Sequence, residues 1–88
     1  KIVANFFNIK LSDLRSKRRP NNIVMPRQIA MYLARECTNA SFPAIGELFG
    51  GKDHSTVIHA CKKLKENIQH DPDLKRTIET IKNQLAKS

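Results

Sequence analysis

Long apolar runs, cysteines and acidic residues are all scarce in this sequence, and the first of these shortages excludes a membrane-spanning protein. No apolar run approaches the ~20 residues that a membrane-spanning helix needs, and no signal peptide is recognisable. The 2 cysteines, Cys37 and Cys61, lie far apart on the apolar faces of predicted helices. We therefore expect buried free thiols, as in a reducing cytosol, and nothing in the sequence requires a disulfide.

The shortage of acidic residues leaves the chain strongly basic. Its 16 lysines and arginines against 8 aspartates and glutamates give a net charge of +8. This balance favours a polyanionic partner, either nucleic acid or an acidic membrane surface, although a merely soluble basic surface is the simpler alternative. The basic residues cluster near the N-terminus, at Arg15, Lys17, Arg18 and Arg19.

The apolar spacing predicts an all-α fold of five to six helices in a single domain, residues 1–88, with neither a strand pattern nor a repeat. The chain opens inside an amphipathic stretch, residues 1–8, which we expect to be the end of a linker helix in the C-terminal piece of a larger protein. Residues 15–25 combine charge, a proline and two asparagines, which predicts a basic loop. Residues 72–87 follow the start signal Asp71-Pro72-Asp73 and predict a C-terminal helix.

Pro26 is predicted to open a helix that ends at Cys37, because a proline at the first helical position lacks an N–H that would be unpaired there anyway. Arg27 would then lie in the exposed first turn. The predicted apolar stripe of this helix contains Ile29, Ala30, Leu33 and Cys37. The opposite side would present Gln28, Met31 and Arg35.

Residues 41–68 have the pattern of a helix-turn-helix unit, in which two helices are joined by a short turn containing glycine. Ser41 can cap a short, mostly buried first helix, and Asp53 can cap the second. Gly50 suits the left-handed conformation that ends a helix. Gly46, inside the first helix, is expected where a side chain would hold the two helices apart. The apolar residues of the first helix are Phe42, Ile45, Leu48 and Phe49.

The second helix of this unit has one face for a core and one face for a partner. Its predicted packing face contains Val57, Ala60, Cys61, Leu64 and Ile68. The opposite face contains Ser55, His59, Lys62 and Glu66. In DNA-binding helix-turn-helix units the second helix enters the major groove with its N-terminal residues against base edges. Those residues here are His54, Ser55 and Thr56.

Two other kinds of site are suggested by spacing, but both lack essential groups. The stretch from Gly46 to Asp53 nearly matches the phosphate-binding loop G-x-x-x-x-G-K-[ST], yet Asp53 stands where a hydroxyl would ligate magnesium, and no strand precedes it. The three histidines and Cys61 lack the i, i+4 spacing of zinc-binding helices. We therefore predict no metal site. No nucleophile has a credible base partner, so we also predict a domain that is not an enzyme.

The stretch Gly50-Gly51-Lys52-Asp53-His54-Ser55-Thr56-Val57-Ile58-His59-Ala60 closely resembles the signature of the C-terminal DNA-binding domain of the bacterial replication initiator family DnaA. Residues 13–19 and 26–33 agree with the same family, in the same order. The resemblance covers nearly the whole chain. It implies a helical bundle with a helix-turn-helix of the Trp-repressor kind. It also implies binding of double-stranded DNA at the A·T-containing nonamers of the replication origin, the DnaA boxes, in support of replication initiation.

By matching position, the resemblance implies two sets of DNA contacts. Asp53, His54 and Ser55 would meet base edges in the major groove, and Arg19 would enter the minor groove. Pro20, Asn21 and Asn22 depart from the pattern of relatives, so Arg18 is the alternative for the minor groove. The implied contacts to the phosphate backbone are Arg18, Arg27, Gln28, Arg35, Pro43, Thr56, His59 and Lys63.

The resemblance also implies partners and surroundings. No cofactor is expected in this domain, since ATP or ADP would bind an ATPase domain that the chain does not contain. Acidic phospholipids, through residues 1–8 and the basic loop, and other copies of the full-length initiator are further implied partners, in the bacterial cytoplasm at the nucleoid. From the residues alone, a peripheral membrane or protein-docking module carried by the same two segments is the competing hypothesis.

Overall fold

In a computed structural model that describes residues 3, 6, 7, 11–15 and 21–87, the described chain is helical and contains no strand. This confirms the predicted all-α fold. The five helices of the described residues, in chain order, are α1 (Leu11–Arg15), α2 (Asn21–Cys37), α3 (Phe42–Leu48), α4 (His54–His70) and α5 (Pro72–Lys87).

The start of α2 corrects the predicted loop at residues 15–25. The helix begins at Asn21, and Pro26 lies inside it instead of at its first position. Proline removes the N–H that would bond the carbonyl four residues earlier, here that of Asn22. The helix loses this backbone hydrogen bond near its start. Pro26 is buried, and the burial of its ring offsets the loss of that bond. Residue 15 ends α1, and residues 16–20 of the predicted loop lie outside the described residues.

The middle of α2 is enclosed by the rest of the bundle, because Ile29, Ala30 and Met31 are buried in succession. The prediction that Met31 faces the exposed side is therefore wrong. Cys37 was expected in the core and is instead exposed, since it is the last residue of the helix and lies beyond the core. Cys61 is half-buried, and both thiols are free.

One hydrophobic core joins all five helices. The packing face predicted for α4 is confirmed, with Val57 and Leu64 fully buried and Cys61 and Ile68 packed against the core's edge. The opposite face of α4 is exposed, as predicted. The other buried apolar side chains of the helices are Leu14, Ile29, Ala30, Met31, Leu33, Ile45, Ala60, Ile78 and Ile81.

Side-chain caps fix where the helices begin. The Ser41 hydroxyl accepts a hydrogen bond from the Ala44 amide at 3.2 Å, which confirms the predicted cap of α3. The Asp71 carboxylate accepts from the amides of Asp73 and Leu74, both at 3.1 Å, so α5 starts at Pro72 as predicted. These bonds satisfy amide donors that a helix start otherwise leaves unpaired.

Two observations bear on surfaces outside the core. The expectation that the first helix of the unit is mostly buried is wrong, because only Ile45 and Gly46 of α3 are buried and Leu48, which ends α3 on the side away from the bundle, has 63% of its surface exposed. Among the described residues, none of the helices combines the length and the apolar character that a membrane crossing requires.

Candidate nucleic-acid interface

The turn between α3 and α4 is held by backbone and side-chain bonds from one lysine. Gly50 and Gly51 have φ of 86° and 74°, the left-handed region that the sequence predicted for Gly50. The Lys52 amide then donates to the Gly46 carbonyl at 2.9 Å, and its Nζ donates to the Phe49 carbonyl at 3.0 Å. The chain therefore leaves α3 and enters α4 along a fixed path.

Gly46 is required by the close approach of this turn to α3. A Cβ on Gly46 would overlap the carbonyl oxygen of Lys52 and contact Val57 Cγ2 at 3.7 Å. The overlapping atom belongs to the backbone, so no side-chain rotation relieves it. A side chain here would therefore hold the turn away from α3, which differs from the expectation that it would separate the two helices directly, since the α4 atom Val57 Cγ2 lies at an ordinary contact distance.

Asp53 caps the N-terminus of α4, as predicted. Its Oδ1 accepts from the Ser55 amide at 3.2 Å and lies 3.1 Å from His54 Nδ1. The side chains of Asp53 and His54 remain 67% and 57% exposed. The start of α4 therefore presents a carboxylate, an imidazole and a hydroxyl to solvent, with the carboxylate held by the cap.

An open groove of about 570 Å³ runs beside this first turn, between α2 and α4. Gln28 of α2 and Thr56, His59 and Lys63 of α4 face each other across it. All four groups can donate a hydrogen bond to an anionic oxygen, and Lys63 adds a positive charge. The groove is also lined by Val24, Arg27, Met31, Lys52, Asp53 and Ala60.

Arg27 lines the groove but is buried, with 7% of its surface exposed, so its predicted place in an exposed first turn is wrong. The earlier start of α2 moves it into the second turn, against α1. Its Nε donates to the Leu14 carbonyl at 3.2 Å, and its Nη2 donates to the Asp13 carbonyl at 3.0 Å.

Four further residues that the sequence implicated do not line the groove or cannot be placed. Arg35 is exposed, stacks its guanidinium 4.1 Å from the centre of the Phe42 ring and donates to the Ala40 carbonyl at 3.0 Å. It thereby braces the connection from α2 to α3. Pro43 is exposed in the first turn of α3. Arg18 and Arg19 lie outside the described residues.

Lys52 is the charged residue of the groove lining that the sequence did not assign to DNA, and the other unassigned lining residues, Val24, Met31 and Ala60, are apolar. In the sequence it belongs to the incomplete phosphate-loop match and to the stretch that resembles the family signature, and neither gave it a DNA contact. In the structure that stretch joins two helices and follows no strand, and Lys52 supports the turn. Its position immediately before the predicted cap Asp53 could have indicated that it lies beside the first turn of α4. Within the described residues, no three His, Cys, Asp or Glu side chains gather as a metal site would require.

Comparisons with known proteins identify the family of this chain. Residues 1–64 match the family model described as "Bacterial dnaA protein helix-turn-helix". The match contains α1 to α3 and the first eleven residues of α4, and so the whole lining of the groove.

Individual relatives extend the similarity to nearly the full chain. The chromosomal replication initiator protein DnaA of Levilactobacillus brevis is 54% identical over 85 residues, and that of Geotalea daltonii is 52% identical over 85 residues. Each alignment covers 97% of this chain and 19% of the relative. The chain thus spans about a fifth of the length of these relatives.

A solved structure shares the fold. A crystal structure of a DNA replication initiation factor superposes with a TM-score of 0.84 and 35% sequence identity. The superposition covers 94% of this chain and 25% of that one.

Proposed function

Since the chain belongs to the bacterial DnaA helix-turn-helix family, we propose that it binds double-stranded DNA at replication-origin nonamers and so serves the initiation of chromosomal replication. The matched part of the family is its helix-turn-helix domain, which is non-catalytic. The observation that carries the proposal is the groove between α2 and α4, where Gln28 faces Thr56, His59 and Lys63 beside the exposed first turn of α4.

The first turn of α4 would read bases in the major groove. Asp53, His54 and Ser55 are exposed there, while the packing face of the same helix is buried. A carboxylate accepts from the cytosine amino group, whereas imidazole and hydroxyl groups meet neighbouring edges and thymine methyls. The capping bond that the Asp53 carboxylate accepts from the Ser55 amide supports this role, because it orients the carboxylate before DNA arrives.

The groove residues would hold the phosphate backbone and so set the register of α4. Gln28 approaches from α2, and Thr56, His59 and Lys63 approach from α4, so a strand in the groove is contacted from two helices. Contacts of this kind fix orientation and carry no sequence information themselves. Arg35 and Pro43, outside the groove, would add backbone contacts at the α2–α3 end.

A minor-groove contact by the basic residues that follow α1 completes the proposal. Arg19, or Arg18 in its place, would insert there, as the family resemblance implies. Arginine in a narrow A·T-rich minor groove gains from its enhanced negative potential. The net charge of +8 favours such a partner over a neutral one.

The described part of the N-terminal stretch favours DNA over a lipid surface. Val3 is buried in the core and Phe7 packs against it, while Phe6 remains 38% exposed. Two of these three apolar side chains thus serve the fold instead of a membrane. We therefore propose DNA as the partner of this chain.

A gel shift that compares a duplex containing one origin nonamer with a scrambled duplex, at a stated salt concentration, tests the proposal. We expect the nonamer to bind roughly a thousand-fold more tightly, or better, near physiological salt. Equal affinity for both duplexes would contradict it.

A further inference from the structure

Arg27 makes contacts that differ from those of a DNA-binding side chain. Among the described residues it is the only charged residue that is buried, and its guanidinium donates hydrogen bonds to the carbonyls of Asp13 and Leu14. Its Nε and Nη2 lie on one edge of the guanidinium, so the two bonds use the planar fork that only arginine offers. A side chain engaged in this way is directed towards α1.

The two carbonyls belong to the last turn of α1. A helix leaves its last four carbonyls without intrahelical partners, and α1 has only five residues, Leu11–Arg15. Arginine near a helix C-terminus satisfies such carbonyls and complements the negative end of the dipole. Arg27 therefore supplies, from α2, the hydrogen bonds that end α1.

Such a short helix depends on its surroundings for stability. Isolated helices shorter than about 12 residues are marginal in water, so α1 persists through tertiary contacts. The described contacts that hold it are the burial of Leu14, which is 2% exposed, and the two bonds from Arg27. Losing those bonds would remove the described hydrogen bonds that tie the last turn of α1 to α2.

The chain leaves this end of α1 directly into the basic residues Lys17, Arg18 and Arg19. We propose that Arg27 is a positioning residue that fixes where this basic segment begins, and that it does not itself hold DNA phosphate. The inference rests on the proposed function only for its effect on DNA binding. The hold on α1 is independent of any ligand.

The test is a double-mutant cycle between Arg27→Lys and the pair Arg18→Ala/Arg19→Ala. Lysine keeps the charge and loses the fork, so we expect roughly ten-fold weaker binding of the nonamer duplex. In the Arg18→Ala/Arg19→Ala background we expect Arg27→Lys to change affinity less than about two-fold, because the segment it positions no longer contributes. Arg76→Lys, at an exposed site on α5, is the matched control and should leave affinity unchanged.

A second readout needs no DNA. The helical NMR chemical shifts of residues 11–15 should be lost in Arg27→Lys, while those of Val57 and Leu64 in α4 stay as in the unchanged chain. This readout still tests the role of Arg27 if the unchanged chain proves to have no preference for the nonamer, the result that would defeat the proposed function.

Three results would overturn the inference. Retained helical shifts at residues 11–15 in Arg27→Lys would show that its bonds do not hold α1. Collapse of the α4 shifts as well would make Arg27 a general support of the fold. The third result combines two variants and would identify a phosphate contact. Arg27→Lys would bind the nonamer duplex normally, whereas Arg27→Gln would lower the affinity by the same factor with and without Arg18 and Arg19. Arg27→Gln would also lower the slope of log affinity against log salt by about one unit.

Discussion

The proposed recognition of bases by α4 depends most on the side chain of His54. It sits in the first turn of α4, is 57% exposed, and is steadied by Asp53, whose carboxylate also caps the helix. Lys63 lies two turns further along and lines the groove. The first residue is assigned to bases and the second to phosphate, so their substitutions must have different consequences.

We predict that His54→Ala abolishes the preference for the nonamer and leaves weak, salt-sensitive binding. Each good base contact contributes ~1–3 kcal/mol of discrimination, whereas the electrostatic attraction survives the change. Titrations with the nonamer duplex and the scrambled duplex measure this preference. His70→Ala, at the exposed C-terminal end of the same helix, is the matched control. An unchanged preference in His54→Ala would show that α4 does not read bases through its first turn.

Lys63→Ala should weaken binding to every sequence about equally. It removes one phosphate contact, so the slope of log affinity against log salt should fall by about one unit. Lys65→Ala provides the comparison, because Lys65 is exposed on the same helix but does not line the groove. A selective loss for the nonamer alone would assign Lys63 to base recognition instead.

The two thiols should differ in reactivity. Burial is the main cause that raises the pKa of the Cys61 thiol, so less of it is thiolate at neutral pH than for an exposed cysteine. Cys37 is exposed. We expect iodoacetamide to alkylate Cys37 first, with Cys37→Ser leaving only a slow reaction that accelerates as the pH rises. Faster alkylation of Cys61 would contradict the burial of this face of α4.

At the scale of elements, the turn from α3 to α4 determines how the first turn of α4 is presented. Gly46 allows the Lys52 backbone to pass close to α3, and the left-handed Gly50 and Gly51 let the chain reverse. Lys52 then locks the turn through its amide and its Nζ. Any change that widens this turn tilts α4 relative to the groove wall formed by α2.

We predict that Gly46→Ala lowers the free energy of unfolding by about 1–3 kcal/mol, although alanine favours helix by ~1 kcal/mol over glycine. The overlap with the Lys52 carbonyl outweighs that gain, because a backbone atom must shift. Urea unfolding followed by circular dichroism measures it. Glu47→Ala, at the exposed neighbouring position, should stay within ~0.5 kcal/mol of the unchanged chain. Stabilisation by Gly46→Ala would refute the close approach.

The elements also show which features sequence reasoning could predict. Caps and stripes determine α3, α4 and α5, because Ser41, Asp53 and Asp71 bond nearby amides and the apolar spacing is local. The start of α2 was mispredicted because the burial of Pro26 against the bundle outweighs the local preference of proline for a first position.

Side-chain partners were the least predictable part of the site. The residues that we propose to read bases follow from local sequence, since they lie in or next to one helical turn. The role of Arg27 does not, because its acceptors on Asp13 and Leu14 are 14 and 13 residues away. The same applies to Arg35, whose stacking on Phe42 depends on how α2 meets α3. The sequence predicted both arginines on exposed positions of a helix, and the family resemblance assigned both to phosphate, but neither could show these partners.

At the scale of the molecule, a small bundle with one core holds two helices on either side of a groove. The buried stripe of α4 and the enclosed middle of α2 fix the groove walls, while the net charge of +8 would attract the proposed DNA partner from a distance. The central claim is that DNA meets this groove and the first turn of α4, and not another basic face such as that of α5.

Titration of the ¹⁵N-labelled chain with the nonamer duplex, followed by amide chemical shifts, tests this claim most directly. We predict that the largest shifts fall on residues 53–56, His59, Lys63 and Gln28, with a scrambled duplex giving small, diffuse changes on the same surface. Shifts centred on the exposed face of α5, or spread evenly over the molecule with both duplexes, would contradict it.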